Sequence, residues 1–257
     1  MSSVSIFFIG LAFCLLLMLL TWVYAQKMNY YSLVDVVWSY GIGLLTVVFA
    51  MTANGTPTKK LIAVVLASCW SIRLGTHLAI RLKSHFPIED SRYIGLKSKW
   101  DKAQFLIFFL FQGLSQALFS LPFLFLVQDK DPSISSLTVV GIFLFAAGFI
   151  GESVADKQLH AFRMSPENKG KVCDKGLWKY SRHPNYFFEW IIWCGIAIAA
   201  VPSPNGYFAI LSPVVMYLTL NFLTGVPATE VQLLKSKGSL YIEYQRKTNR
   251  FFPGAPL

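Results

Sequence analysis

Charged residues are scarce in this chain. They make up 14% of its 257 residues, and only 13 of them are acidic. A soluble globular domain carries about 25% charged residues, whereas this chain is 54% hydrophobic and 16% aromatic, with a mean hydropathy of +0.51. The composition excludes an ordinary soluble domain and predicts an integral membrane protein.

Cysteine pairs and nucleotide-binding loops are also missing. The four cysteines, at positions 14, 69, 173 and 194, form no C-x-x-C pair, so neither a disulfide framework nor a metal site is predicted. There is no Walker loop, and the Gly41 to Gly43 pair lies inside an apolar run, which indicates no soluble nucleotide-binding fold. No repeat or linker divides the chain, so we predict one transmembrane domain over residues 1–257, without a nucleic acid or an obligate protein as partner.

Long apolar runs are what the chain has in quantity. A helix needs about 20 residues to cross the hydrocarbon layer, and runs of about that length cover residues 5–24, 32–52, 61–80, 104–127, 135–153, 187–202 and 206–224. The sequence therefore predicts an all-α bundle of seven transmembrane helices. The first run has neither a basic segment before it nor a small-residue cleavage site before Tyr24, so we expect it to remain as a span.

The distribution of Lys and Arg predicts the orientation. Of the 23 basic residues, six fall in 81–102, seven in 157–182 and five in 235–250, whereas Lys59, Lys60 and Lys130 belong to the opposite face. Cytoplasmic loops carry the excess of positive charge, which predicts a multi-pass protein of a bacterial inner membrane, with the N-terminus outside and the C-terminus in the cytoplasm. The formal net charge of +10 would attract anionic lipid or an anionic ligand to this face.

Polar side chains recur at four-residue spacing in five of the predicted spans, which places them on one face of each helix. Inside a membrane each must be paired, or must face water or a ligand. Two roles stay open: hydrogen bonds that join helices, favoured for the glutamine pair, or the lining of a polar cavity, favoured for the ionisable residues. The stripes are Asp35 with Trp38 and Ser39, Arg73 with His77 and Arg81, Gln112 with Gln116, Glu152 with Asp156 and His160, and Asn185 with Glu189.

The stretch SRHPNYFFEW, residues 181–190, leads from a basic loop into the sixth run. Pro184 suits a helix start, where free backbone amides favour an anion. Arg182 and His183 are of the types that bind phosphate, and Asn185 and Glu189, one turn apart, suit ribose hydroxyls or an amide. The pattern predicts a phosphorylated or zwitterionic cofactor that enters from the cytoplasm.

Three segments, GLWKYSRHPNYFFEW, EDSRYIGLKSKW and GSLYIEYQRKTNRFFP, together resemble the bacterial branch of the steroid 5-alpha-reductase family. The resemblance covers about residues 30–255. It implies a seven-helix membrane fold that holds NADPH in a cytoplasm-facing cavity and reduces a carbon–carbon double bond conjugated to a ketone. By this resemblance, helices of about residues 1–127 would hold a lipophilic small-molecule substrate, and about residues 128–257 would bind the cofactor.

The resemblance also implies site residues. In the animal enzymes a carboxylate on the second helix and a tyrosine on the third hold the substrate ketone. Here these positions are Asp35 and Trp70, and we predict both as catalytic, with Arg73. An indole N–H can donate a hydrogen bond but cannot supply the proton that the reduced product gains, so a neutral Asp35, or Tyr40, would have to supply that proton. A structural role stays open as the alternative, in which an ionised Asp35 pairs with Arg73 and only joins two helices. Cofactor contacts carried over by position are Asp156, Arg163, Lys171, Asn185 and Glu189, with Tyr180, Arg182, His183, Tyr186, Tyr244 and Arg250 added from the same motifs.

A second family shares part of this pattern. Isoprenylcysteine carboxyl methyltransferases also carry Arg-His-Pro-x-Tyr before a span and a Gly-x-x-Tyr tail, and there the motif binds S-adenosylmethionine. Those enzymes have paired glutamates before the tail, whereas this chain has Glu230 preceded by Thr229. Glu189, one turn after Asn185, favours the reductase. A transporter or scaffold is a third reading, disfavoured because the chain has no internal symmetry.

Overall fold

The structure is a computed structural model that describes residues 3–256, with the side chains of Ser3, His85 and Ser91 left aside. All regular structure in this range is helical, which confirms the all-α prediction for it. Its α-helices are α1 (Ser3–Met28), α2 (Leu33–Thr52), α3 (Pro57–His85), α4 (Ser91–Lys97), α5 (Lys102–Phe119), α6 (Leu121–Gln128), α7 (Ser136–Met164), α8 (Pro184–Ala200), α9 (Leu211–Leu218), α10 (Val226–Lys237) and α11 (Ser239–Lys247). Shorter elements are 3-10 turns at Pro166–Asn168, Gly176–Lys179 and Gly206–Ile210, and a π-helix at Thr219–Leu223.

Several helical segments are long and apolar enough to cross a bilayer, which confirms a multi-pass membrane protein. Within residues 3–256 there are six: Val4–Met28, Leu33–Thr52, Pro57–Ser84, Lys102–Gln128, Ser136–Met164 and Gly206–Lys237. The predicted run 187–202 corresponds to α8, whose 17 residues keep it out of this set. The count of seven spans therefore stays a prediction.

The fourth predicted run, residues 104–127, forms two helices instead of one. Helix α5 ends at Phe119, and α6 begins at Leu121, next to Pro122. Proline has no backbone N–H and its ring collides with the preceding turn, so a helix breaks just before it. The Ser120 hydroxyl donates a hydrogen bond of 2.7 Å to the Gln116 carbonyl, which satisfies a backbone group at the break.

The described residues form two compact units. Unit 1 comprises residues up to Ser135 with Ala200–Ala209, and unit 2 comprises Ser136–Ala199 with the chain from Ile210 onward. In unit 1 the helices are joined by polar contacts: Gln116 Nε2 donates to the carbonyls of Val37 and Trp38 at 3.1 Å. Gln116 therefore joins α5 to α2, as the glutamine stripe predicts.

A buried ion pair closes one end of unit 1. Lys59 Nζ lies 2.8 Å from Asp129 Oδ2, and the Ser203 hydroxyl donates to the same oxygen at 3.0 Å. The pair joins the first turn of α3 to the end of α6 and to the loop after α8. Since removing one partner of a buried pair leaves an uncompensated charge, a substitution of Lys59 or Asp129 alone should destabilise this end of the unit by about 3–5 kcal/mol.

In unit 2, helices α7 and α8 pack closely through glycines. A Cβ atom placed on Gly141 would lie 2.4 Å from the Ala199 nitrogen, and one on Gly148 would lie 2.8 Å from the Ile192 nitrogen. Later residues of α7 thus face earlier residues of α8, so the two helices are antiparallel. Small residues let transmembrane backbones approach in this way, where lipid supplies no hydrophobic driving force between helices.

Candidate functional site

The Asp35 cluster of unit 1 consists of Asp35, Asp90, Arg92 and Tyr93. Asp35 lies in the first turn of α2. Its Oδ1 accepts a hydrogen bond of 2.8 Å from the Tyr93 hydroxyl, and its Oδ2 forms an ion pair of 2.8 Å with Arg92. Both partners belong to α4. Asp90 is the N-cap of this helix, and its side chain accepts a hydrogen bond of 3.0 Å from the Arg92 amide. A carboxylate of α2 thus holds two hydrogen-bond donors of α4.

Glu89 fixes the approach of α4 to α2. Its carboxylate accepts from the backbone amides of Tyr31 and Ser32 at 2.8 and 3.0 Å, and forms an ion pair of 3.0 Å with Lys97. Burial disfavours its charge, but the hydrogen bonds from Ser32, Tyr31 and Lys97 outweigh burial and lower the pKa of Glu89. The carboxylate therefore satisfies free amides at the start of α2.

The Tyr93 hydroxyl acts as a hydrogen-bond donor in this arrangement. Burial and the neighbouring Asp35 carboxylate raise the pKa of Tyr93 well above its ordinary value, although Arg92 opposes them. A phenol with a raised pKa stays protonated at neutral pH. Tyr93 suits the role of polarising an oxygen better than that of releasing a proton.

The structure places the other predicted catalytic positions on α3. Trp70 is fully buried, and its ring meets Trp38 edge to face, with 5.8 Å between ring centroids. Trp38 donates in turn to the Ser115 hydroxyl at 2.7 Å. The partners found for Asp35 are Arg92 and Tyr93, and reasoning from the sequence gave neither of them a role.

The Glu230 cluster of unit 2 gathers donors around one carboxylate. Arg182 approaches Glu230 Oε1 through two nitrogens at 2.8 Å, and His183 Nε2 lies 3.3 Å from the same oxygen. The remaining donors are Tyr241, at 3.4 Å, and Gln245, at 3.2 Å. The cluster joins the predicted Arg-His-Pro motif to α10 and α11.

Arg182 and His183 are thus held by the protein itself. A further nitrogen of Arg182 donates to the carbonyls of Gln245 and Thr248, at 3.1 and 2.8 Å. Burial lowers the pKa of His183, although Glu230 opposes this, and its ring stacks on Tyr186 with 5.5 Å between centroids. A neutral histidine and a fully engaged arginine favour a positioning role over contact with phosphate.

The C-terminal tail lies along the loop before α8. Ser181 Oγ donates to the Phe251 carbonyl at 2.8 Å, and the Gly254 amide donates to the Tyr180 carbonyl at 3.1 Å. The Tyr244 hydroxyl donates to the Trp178 carbonyl, and Arg250 donates to the carbonyl of Asn221 inside the π-helix. Of the predicted cofactor positions, Tyr244 and Arg250 therefore bind backbone oxygens within unit 2.

The remaining predicted cofactor positions lie on α7, on α8 and in the loop between them. Glu152 and Glu189 are 5% and 6% exposed, and Trp193 Nε1 donates to Glu189 Oε1 at 2.9 Å. The packing of Gly148 and Gly151 against Ile192 and Phe188 puts Glu152 beside the first turns of α8. Asp156 and Asn185 are half-buried, and Arg163 and Lys171 are exposed.

These positions suit a ligand with two kinds of polar group. Buried carboxylates accept hydrogen bonds, as ribose hydroxyls and amide N–H groups require, and exposed cations suit phosphates. The residues present therefore fit a phosphorylated nucleotide cofactor. Within the described part of the chain, no three His, Cys, Asp or Glu side chains lie close enough together to hold a metal ion.

Comparison with curated proteins finds similarity to two kinds of relative. An uncharacterised protein of Schizosaccharomyces pombe is 25% identical over 234 residues, which are 80% of this chain and 66% of that protein. A second uncharacterised protein of the same yeast is 33% identical over 84 residues, 27% of this chain and 30% of that protein. A probable O-methyltransferase of Ustilaginoidea virens is 38% identical over 60 residues, 23% of this chain and 21% of that protein.

The chain spans between 21% and 66% of the length of these three relatives. Comparison with protein families gives a longer match. Residues 21–248 match the family described as protein of unknown function DUF1295; the match covers most of the chain and every predicted catalytic or cofactor position except Arg250. The chain therefore belongs to the DUF1295 family.

Proposed function

We propose that the protein is a membrane-embedded, NADPH-dependent reductase of the conjugated double bond in a lipophilic enone. One observation carries the proposal: along α7, polar groups change from the buried Glu152, through the half-buried Asp156, to the exposed Arg163. Eleven residues separate the two ends, about 16 Å at 1.5 Å per residue. A ligand with hydroxyl or amide donors at one end and phosphates at the other matches this order.

Each group of the cofactor has a partner in this proposal. Glu189, Asn185 and Asp156 would accept from the carboxamide and ribose hydroxyls, while Arg163 and Lys171 would bind phosphates. Arg182 and His183 would act indirectly, because Glu230 and the tail carbonyls hold them and fix the entry to α8. We also propose that this site faces the cytoplasm, with the N-terminus outside, since the sequence predicts one cytoplasmic face for the loops rich in Lys and Arg.

Within unit 1, the Asp35 cluster would hold the ketone. NADPH supplies a hydride when it is bound. On substrate binding, Tyr93 would turn its single O–H from Asp35 to the ketone oxygen, or Arg92 would donate one of its N–H groups, as negative charge develops there; before that, Asp35 holds both side chains in place. The β-carbon of the enone would gain this hydride, and the α-carbon would gain a proton from water. In this proposal Asp35 positions Arg92 and Tyr93 and does not supply the proton, because an ion pair with Arg92 requires the carboxylate form.

Methyl transfer from S-adenosylmethionine is the second candidate. The similarity to a probable O-methyltransferase favours it, and so does the Glu230 cluster, which unites the Arg-His-Pro-x-Tyr motif with the Gly-x-x-Tyr tail. S-adenosylmethionine is cationic at sulfur and carries no phosphate. It would use the buried carboxylates but would have no need of Arg163 and Lys171.

Ligand binding to the purified protein separates the two candidates. We expect NADPH to bind more tightly than S-adenosylmethionine, and its affinity to fall as salt rises, because exposed phosphate contacts are screened. Glu189→Gln should weaken NADPH binding about tenfold, a loss of roughly 1.4 kcal/mol. Glu243→Gln, at an exposed acid of α11, is the matched control and should leave binding unchanged. Tighter binding of S-adenosylmethionine, with NADPH affinity unaffected by Glu189→Gln, would assign the protein to methyl transfer.

A further inference from the structure

Helix α3 carries a basic stripe, formed by Arg73, His77 and Arg81. Their four-residue spacing places these side chains on one side of the helix. The middle of the apolar exposed side lies elsewhere, between Ile72 and Ile80, which are 59% and 65% exposed. With 3.6 residues per turn, His77 lies about 140° around the helix from Ile72 and about 60° from Ile80. His77 is therefore at the border of the apolar side and not in its centre.

His77 lies within a segment that is long and apolar enough to cross the bilayer. That segment ends at Ser84, seven residues later, which corresponds to about 10 Å at 1.5 Å per residue. An ionisable side chain at such a depth must face water, a partner or a ligand. The side chain of His77 is exposed, so it can reach water or a ligand without displacing packed side chains.

The stripe meets the Asp35 cluster through Arg81, which forms an ion pair with Asp90. The Asp90 carboxylate also pairs with Arg92 at 3.1 Å, and Arg92 pairs with Asp35 at 2.8 Å. Residues four apart on a helix have Cβ atoms about 6 Å from each other. His77 therefore lies one helical turn from the residue that joins α3 to the Asp35 cluster.

The proposed reduction needs a proton donor, and the Asp35 cluster does not contain a suitable one. Asp35 is ionised in its pair with Arg92, and the raised pKa of Tyr93 keeps that phenol protonated. Arginine does not release a proton in proteins. Histidine changes its charge between about pH 5 and 8 and is the side chain that most often acts as a general acid. On the basic stripe, His77 is therefore the residue suited to proton transfer.

We infer that His77 is the group through which the proton reaches the α-carbon, an inference that rests on the proposed reductase activity. As the β-carbon gains a hydride, an N–H bond of the His77 imidazolium breaks. Its proton forms the new C–H bond at the α-carbon with an electron pair of the enolate. The imidazole is then neutral, and it regains a proton from water before the next turnover.

The test measures enone reduction by the full-length His77→Ala protein, with NADPH and a panel of enones, in the presence and absence of imidazole. We expect kcat to fall about a hundredfold, and imidazole to restore roughly tenfold of this loss, because it can carry the proton in place of the missing side chain. NADPH affinity and unfolding temperature should stay unchanged, since His77 is exposed. Lys83→Ala, at an exposed position of the same helix, is the control and should keep the parent's rate with or without imidazole.

The outcomes separate this inference from the proposed function. A His77→Ala protein that reduces enones as fast as Lys83→Ala would overturn the inference and leave the reductase activity standing. A slow variant that imidazole does not accelerate would assign His77 a structural role and would also overturn it. A parent protein that oxidises no NADPH with any of the enones would refute the proposed function, and this inference together with it.

Discussion

Tyr93 donates a hydrogen bond of 2.8 Å to Asp35, across 58 positions of the chain. The bond ties the seven-residue helix α4 to the first turn of α2. Arg92, one residue earlier, forms an ion pair with the same carboxylate. Two donor side chains thus meet at one carboxylate of unit 1, and donors of this kind are what polarisation of a carbonyl oxygen requires.

Removing the Tyr93 hydroxyl tests this arrangement. We expect Tyr93→Phe to keep the fold and to lower kcat for enone reduction by about a hundredfold, the usual effect of losing one donor to a developing oxyanion. Rates with NADPH and a panel of enones measure the effect. Tyr24→Phe, at an exposed position of α1, is the matched control. A Tyr93→Phe enzyme as active as this control would exclude Tyr93 from the reaction.

Glu230 should be among the residues that stabilise unit 2 most. Glu230→Ala leaves the buried Arg182 without its charge partner and removes the acceptor of three other side chains, so we expect a loss of about 3–5 kcal/mol. Thermal unfolding in detergent measures it, with Glu243→Ala as the control, since that acid is exposed and forms a surface pair. A loss no larger than that of the control would contradict the account of the cluster.

The pH dependence of stability should report on His183. Burial lowers its pKa from the ordinary value of 6.5, so the unfolded chain binds a proton at a higher pH than the folded protein does. Stability should therefore be complete above about pH 7 and fall as the pH drops through 6.5 towards the folded-state value. We expect the unfolding temperature of the parent to fall more steeply on acidification than that of His183→Gln. Parallel curves would show that His183 contributes nothing to the pH dependence.

The contact between α7 and α8 should not tolerate a side chain at Gly195. A Cβ there would lie 2.4 Å from the Phe145 nitrogen, a backbone atom that can move only with its helix. We expect Gly195→Val to destabilise the protein by about 1–3 kcal/mol, as overpacking does. Gly95→Ala is the control, because a Cβ at Gly95 meets nothing within 4 Å. Unfolding temperatures that agree between the two variants would contradict the close packing.

Much of the fold follows from the sequence because lipid imposes a simple rule on it. The run 32–52 predicts α2 to within one residue, since an apolar stretch of that length must form a helix in a bilayer. The break between α5 and α6 was not predicted, although Pro122 marks it. Helices α3 and α7 have 29 residues each, longer than their apolar runs, because each continues as a polar helix past its apolar part.

The site was harder to predict, because its partners are distant in the chain. The free-energy cost of a carboxylate inside a transmembrane segment points to Asp35. Its partners Arg92 and Tyr93 lie 57 and 58 residues further along the chain, and no local sequence pattern connects them with Asp35. The signal available was Asp90, which caps α4 ahead of both donors. The sequence predicts Arg182 and His183 as phosphate ligands. In the structure Glu230, 47 residues after His183, accepts hydrogen bonds from both side chains, and no periodic pattern in the sequence indicates that contact.

The central claim is most directly tested by following hydrogen from cofactor to product. Purified protein is incubated with lipophilic enones and NADPH deuterated at its transferable position, and the products are examined by mass spectrometry. The account predicts a saturated ketone with one deuterium at the β-carbon, formed together with one equivalent of NADP⁺, and less of it in Glu189→Gln than in Glu243→Gln. Enones returned unlabelled with NADPH unconsumed, while a methyl group passes from S-adenosylmethionine to an acceptor, would contradict it.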